Sequence, residues 1–221
     1  SLLRPKREDV KLCAAHQRKA QGQKMKRALR FDNVALVDHA KSVLADEKSG
    51  LYELALALMT VTGRRTAEIL NGRSKLVPAK AKSARFHGQL KKRKGMSSAY
   101  DIPLLCNATL VRDALRRLRE LQPEDIASFE NARVSRRYQS GLRQFAHKHP
   151  VYGKLNRLHD LRGCYAVMCL HVYDMGDASD LYAISKLLGE ADHNVATVYS
   201  AYKMSHPASW KQSMYGKWKV D

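Results

Sequence analysis

Tyr199 and Tyr202 stand three residues apart, a spacing that puts both on one face of a helix. A phenol with its ordinary pKa of about 10 is a poor nucleophile. It attacks a phosphodiester once cations neutralise the phosphate and the charge developing on it. Two upstream motifs offer those cations, Thr62-Gly63-Arg64-Arg65 and His159-Asp160-Leu161-Arg162. A guanidinium grips two phosphate oxygens through its planar fork, which suits Arg65 and Arg162. His159 precedes Arg162 by three residues, on the same helical edge, and can hydrogen-bond or exchange a proton; His193 can bond the phosphate. Lys91, Lys92 and Lys94 offer an acid for a departing 5′ oxygen. Such a set does phosphoryl transfer through tyrosine with no cofactor and no metal, because fixed cations take the metal's place. Taken singly, each piece has a plainer reading. A buried arginine usually partners a carboxylate such as Glu68 or Asp160, a helical tyrosine is usually core, and His159 reads as a polar residue at a helix start. The order and spacing together favour the chemical reading.

These side chains need rigid supports, and the hydrophobic pattern supplies them. Asp32 or Asn33 can cap a helix running to about Glu47. Residues 51–61 are apolar nearly all round, which predicts a buried central helix ended by Thr62-Gly63, so the arginines that follow stand on a firm base. Residues 76–77, 84–90 and 99–104 read as short strands of a small antiparallel sheet, the only β-like region expected, with Lys91-Lys92-Arg93-Lys94-Gly95 as a basic tip suited to a DNA groove. Further helices are predicted over 109–121 behind Asn107, 131–147, 160–175, a stretch from Ser179 or Asp180 to Leu188 closed by Gly189, and 194–204. The fold class is therefore mainly α with a small antiparallel β-sheet (α+β). Residues 1–32 read as a basic linker or helix, 33–205 as the chemical unit, and 206–221 as a basic tail whose Trp210 and Trp218 dock either on the body or on a partner.

Lys and Arg number 40 against 21 Asp and Glu, so the net charge is +19 and the partner expected is a polyanion. At 44% hydrophobic content the 221 residues can build a core and are not a disordered basic tail. Cys13, Cys106, Cys164 and Cys169 form no CxxC pair, and Cys169-x-His171 and His147-x-His149 fall short of a metal site. No apolar run is long enough to span a bilayer. A protein of a reducing interior, the cytoplasm of a bacterial cell or of a phage host, is expected.

The order Arg, Lys, His-x-x-Arg, His, Tyr resembles the catalytic domain of the tyrosine recombinases, whose fold and mechanism are shared with type IB topoisomerases. The first family arginine follows Thr-Gly by one residue and precedes a Glu by three, which selects Arg65 over Arg64 in Thr62-Gly63-Arg64-Arg65-Thr66-Ala67-Glu68. The family's Leu-Gly-His…Tyr segment resembles Leu188-Gly189, then His193 after Glu190-Ala191-Asp192, then Tyr202 nine residues on. Within the family, Gly88-Gln89-Leu90-Lys91, Ile102-Pro103-Leu104-Leu105 and Ser200-Ala201-Tyr202-Lys203 look like the protelomerases, or telomere resolvases. The resemblance implies a catalytic set of Arg65, Lys91, His159, Arg162, His193 and Tyr202, with Arg64, Lys92, Arg93 and Lys94 contacting DNA. It implies a dimer on a palindromic duplex that cuts each strand through a 3′-phosphotyrosine and rejoins it to its complement as a closed hairpin. The family's upstream DNA-clamping domain is then either removed or joined to this chain through the basic N-terminal segment. Two alternatives stand beside this reading: an integrase or resolvase exchanging strands between two duplexes, and a basic DNA-binding module without catalysis.

Overall fold

The structure is a computed structural model that describes residues 28–90, 99–189 and 201–220. After a short strand β1 (Leu29–Phe31), the Asp32 carboxylate accepts the Ala35 amide at 2.9 Å and opens helix α1 (Asn33–Ala45). Helix α2 (Leu51–Thr62) starts at Gly50, whose amide donates to the Glu53 carboxylate at 2.7 Å. From Leu54 onward every residue of α2 is buried, as its all-round apolar sequence requires. Gly63 ends it in the left-handed region, at φ 64°, and the one-and-a-half-turn helix α3 (Thr66–Leu70) follows.

Strands β2 (Lys75–Lys80), β3 (Ser83–His87) and β4 (Ala99–Pro103) form the expected antiparallel sheet in the order β2-β3-β4, with Phe86 opposite both Leu76 and Tyr100. Helix α4 (Ala108–Glu120) is capped by Asn107, and a 3-10 turn (Glu124–Ser128) leads into α5 (Asn131–Lys148). Helix α6 (Asp160–Val172) is apolar and buried, and α7 (Asp180–Leu188) runs from the Ser179 cap to Gly189. Around α2 pack α1, α3, α4, α5 and α6, so the buried helix is the axle of the molecule. Cys106, Cys164 and Cys169 are buried free thiols.

The chain's end departs from expectation. The helix predicted over 194–204 does not continue to its end: Tyr202–Met204 is a strand, β5, paired parallel with β1 in the register Leu29 to Tyr202 and Phe31 to Met204. A second, two-stranded sheet thus exists where only one β region was expected. The physical reason is tertiary. Pairing with β1 satisfies this backbone, and the Ser205 amide donates to the Phe31 carbonyl at 2.8 Å. The Asn33 amide group donates to the His206 carbonyl at 3.0 Å and accepts the His206 N–H at 2.9 Å. The tail then returns onto α6. Amides of Ser213, Tyr215 and Trp218 donate to carbonyls of His171, Val172 and Asp174, and the rings of Tyr215 and Trp218 pack against Tyr173. Of the two dockings considered for the tail, the one on its own body is observed.

Candidate active site

Three helix ends meet at one place, laced by two buried arginines. The Gly63 carbonyl, at the end of α2, accepts Arg162 Nη1 at 2.6 Å, and Arg162 Nη2 donates to the Leu188 carbonyl at the end of α7. Gly63 admits no side chain, because a Cβ there would stand 2.1 Å from the Tyr165 ring and φ is positive. Arg162 lies in the first turn of α6, 2% exposed. Arg64 turns inward as well, 1% exposed. Its guanidinium donates to the Thr62 carbonyl at 3.0 Å, the Leu187 carbonyl at 2.6 Å and the Tyr100 hydroxyl. Arg64 was expected to reach DNA. The structure instead spends its fork on holding α7 and β4 to the end of α2.

Arg65 is the N-cap residue of α3. Its Nη1 contacts Glu68 Oε1 at 2.8 Å and its amide donates to Glu68 Oε2 at 2.9 Å. Glu68 is fully buried. Burial pushes its carboxyl up, but the guanidiniums of Arg64, Arg162 and Arg65 and the Arg65 amide outweigh burial and hold it below the usual carboxylate range.

Arg65, Arg162 and His159 border one cavity of about 550 Å³, shared with Arg64, Arg143, Arg157, Ser135, Gln139 and Leu90. Five of its lining residues are arginines and none is acidic, so among the described residues it is a cationic cup with room for a phosphodiester. A smaller cavity of about 420 Å³ adjoins it across Arg143, Arg157 and Leu158. His159 is the N-cap residue of α6; desolvation of its ring, and then the guanidiniums of Arg162, Arg65 and Arg157, hold the imidazole below its ordinary value, against the Asp160 carboxylate. Facing those cations it is kept neutral near pH 7, able to donate to an incoming oxygen.

Tyr202 does not line the cavity. It is 7% exposed on β5, flat against Gly163 of α6, and its hydroxyl donates to Asp160 Oδ1 at 2.9 Å. The same carboxylate accepts the Arg157 amide at 2.9 Å and Arg157 Nη2 at 3.3 Å. Since Arg157 borders the cavity, the phenol oxygen stands one carboxylate behind the cavity wall. Burial, followed by the Asp160 charge and hydrogen bond, raises the Tyr202 pKa well above its ordinary value.

Lys91, Lys92, Arg93, Lys94 and His193 lie outside the described residues, as does Tyr199. The chain on either side of them is described: Leu90 borders the cavity, and the Gln89 amide group donates to the Gly189 carbonyl. Sequence reasoning did not single out Arg143, Arg157 or Asp160 as site residues. Arg157 and Asp160 flank His159 closely enough to have been considered; Arg143 was one of several arginines on α5 with nothing to distinguish it.

A family model of the telomere resolvase ResT/TelK catalytic domain matches residues 28–202. The chain belongs to that family. Solved structures agree in fold. SeMet protelomerase TelA, covalently complexed with substrate DNA, superposes with a TM-score of 0.79 at 19% identity, over 93% of this chain and 69% of that one. Protelomerase TelK complexed with substrate DNA gives 0.78 at 18%, over 91% of this chain and 43% of that one. No curated protein matches the chain. Family membership turns the mainly helical body with its small antiparallel sheet into a tyrosine recombinase-type catalytic fold, as the sequence resemblance implied.

Proposed function

We propose that this telomere resolvase domain cuts duplex DNA through Tyr202, holds the 3′ phosphate on that phenol, and rejoins each strand to its complement as a covalently closed hairpin. The observation that carries the reading is the convergence of Arg65, His159 and Arg162 on one cationic cavity, with the Tyr202 hydroxyl one carboxylate behind its wall. Arg65 binds a non-bridging oxygen of the scissile phosphate and His159 donates to it, while Arg162, its Nη1 and Nη2 held by the Gly63 and Leu188 carbonyls, adds its charge from the cavity wall. Lys91 protonates the leaving 5′ oxygen and His193 bonds the phosphate, both by resemblance, with Lys92, Arg93 and Lys94 on the DNA backbone. The partner is a palindromic duplex bound by a dimer, and the setting is the cytoplasm.

The test is a denaturant-resistant protein–DNA adduct formed in the presence of a magnesium chelator. It is expected for the wild-type protein and absent for Tyr202→Phe. Equal adduct from Tyr202→Phe would remove Tyr202 as nucleophile. A single palindromic duplex separates hairpin formation from strand exchange between two duplexes: hairpin products support the reading, and four-way junctions support an integrase. Binding without adduct on a substrate nicked opposite the scissile phosphate would leave a non-catalytic module.

A further inference from the structure

Among the described residues the Tyr202 hydroxyl donates to Asp160, whose Oδ1 accepts two side-chain donors: the neutral phenol and the charged, half-exposed Arg157 guanidinium. Asp160 is 3% exposed and is fixed at the N-terminus of α6, its backbone N–H on the Arg157 carbonyl at 2.9 Å and its Oδ2 on the Arg157 N–H. Arg157 Nη2 makes the longer contact, at 3.3 Å, and its side chain lies on the cavity wall. A phosphate entering that cavity competes for the Arg157 fork with two oxygens of its own, and a bidentate phosphate contact outdoes a single long one to a carboxylate. Arg157 moving its guanidinium to the phosphate leaves Asp160 Oδ1 with the phenol alone, while Oδ2 keeps the Arg157 backbone N–H.

We infer that Asp160 is the proton acceptor for Tyr202, switched on when the scissile phosphate draws Arg157 away. This rests on Tyr202 being the nucleophile. In the step, the phenol oxygen forms its bond to phosphorus while its proton passes to the Asp160 carboxylate. The phosphorus–O5′ bond breaks, and O5′ takes its proton from the leaving-group acid, Lys91 in the proposed set. In rejoining, a 5′ hydroxyl forms its bond to phosphorus and gives its proton back to the now neutral leaving-group acid, the phosphorus–phenol bond breaks, and the Asp160 carboxyl returns its proton to the departing phenol oxygen. Asp160 thus acts on the nucleophile in cleavage and on the leaving phenol in rejoining. Among the described residues, the charged or titratable groups facing Asp160 are Arg157 from the preceding loop, His159 and Cys164 from the α6 region, and Tyr202 from β5.

The experiment is single-turnover adduct formation at saturating DNA by wild type, Asp160→Asn and Tyr202→Phe, on ordinary DNA and on DNA with sulfur in place of the scissile O5′. A thiolate leaves without an acid, so that substrate silences the leaving-group step and isolates the phenol's proton. Asp160→Asn keeps an oxygen for the Arg157 amide and loses the base. It is expected to bind DNA as wild type does and to form adduct on the order of 10²-fold more slowly on both substrates. Its rate on the sulfur substrate should climb about tenfold per pH unit between about pH 7 and 9, as free phenolate accumulates, while the wild-type rate stays level. A wild-type rate on the sulfur substrate that itself climbs tenfold per pH unit overturns the inference, and needs no variant to fold. So does an Asp160→Asn rate within threefold of wild type. In either case a Tyr202→Phe protein without adduct leaves the nucleophile assignment standing, whereas adduct from Tyr202→Phe fails that assignment first.

Discussion

Glu68 is a buried carboxylate surrounded by the guanidiniums of Arg64, Arg65 and Arg162, and it shows how the cup of cations is held in a folded protein at all. Like charges at this separation repel, and a single interior anion offsets them while fixing Arg65 through two hydrogen bonds. Replacing it with a neutral isostere leaves the cations facing each other around an amide. Glu68→Gln is therefore expected to cost about 3–5 kcal/mol of stability, read from the denaturant midpoint at neutral pH. The pH dependence follows from the sign of the shift. The folded carboxyl lies below its unfolded value, so its stabilisation is complete above the ordinary carboxylate range and is lost as pH falls through the depressed folded value. The gap between wild type and Glu68→Gln should therefore close on acidification. A gap that widens would mean that Glu68 is held neutral.

At the scale of elements, the contact that matters is β5 lying across α6. A Cβ built on Gly163 would stand 2.3 Å from Tyr202 Cε2, so only glycine lets the Tyr202 ring lie flat with its hydroxyl on Asp160. Gly163→Ala is expected to cost about 1–3 kcal/mol by overpacking. By displacing the phenol it should slow adduct formation on the order of 10²-fold with DNA affinity retained; unchanged adduct kinetics would show that the observed seat of Tyr202 is irrelevant to cleavage. The same element marks the boundary of what the sequence carried. Helix starts at Asp32, Asn107 and Ser179 and helix ends at Gly63 and Gly189 were legible, because caps are local chemistry. So was the apolar α2, and so were the motifs holding Arg65, His159 and Arg162. Strand β5 was not, because three residues become a strand only by pairing with Leu29–Phe31, far away in the chain. The division of labour between Arg64 and Arg65 was also invisible to side-chain chemistry. Two adjacent guanidiniums are alike until the turn after Gly63 sets one on the Leu187 carbonyl and the other on Glu68, both at the edge of the cavity. The link from Tyr202 to Asp160 needed β5 in place before it could be seen.

Over the whole molecule, a net charge of +19 is spread across many solvated side chains, and only some of it faces the cavity. Counterion release distinguishes the two populations. Each cation that neutralises a phosphate in a duplex contributes about 0.9 to the slope of log affinity against log salt. Arg143 is exposed, borders the cavity from α5, and has no role in fixing Asp160 or Glu68. Arg116 is exposed on α4, away from the cavity lining, and pairs with Glu120 at 2.8 Å. Arg143→Gln should lower the slope for duplex DNA by about one unit, whereas Arg116→Gln should leave it nearly unchanged. The measurement is a salt titration of binding with the Tyr202→Phe protein, so that covalent capture does not distort the equilibrium. Equal losses from both variants would mean that the duplex responds to overall charge rather than to this cavity, and that the phosphate path runs over a different face.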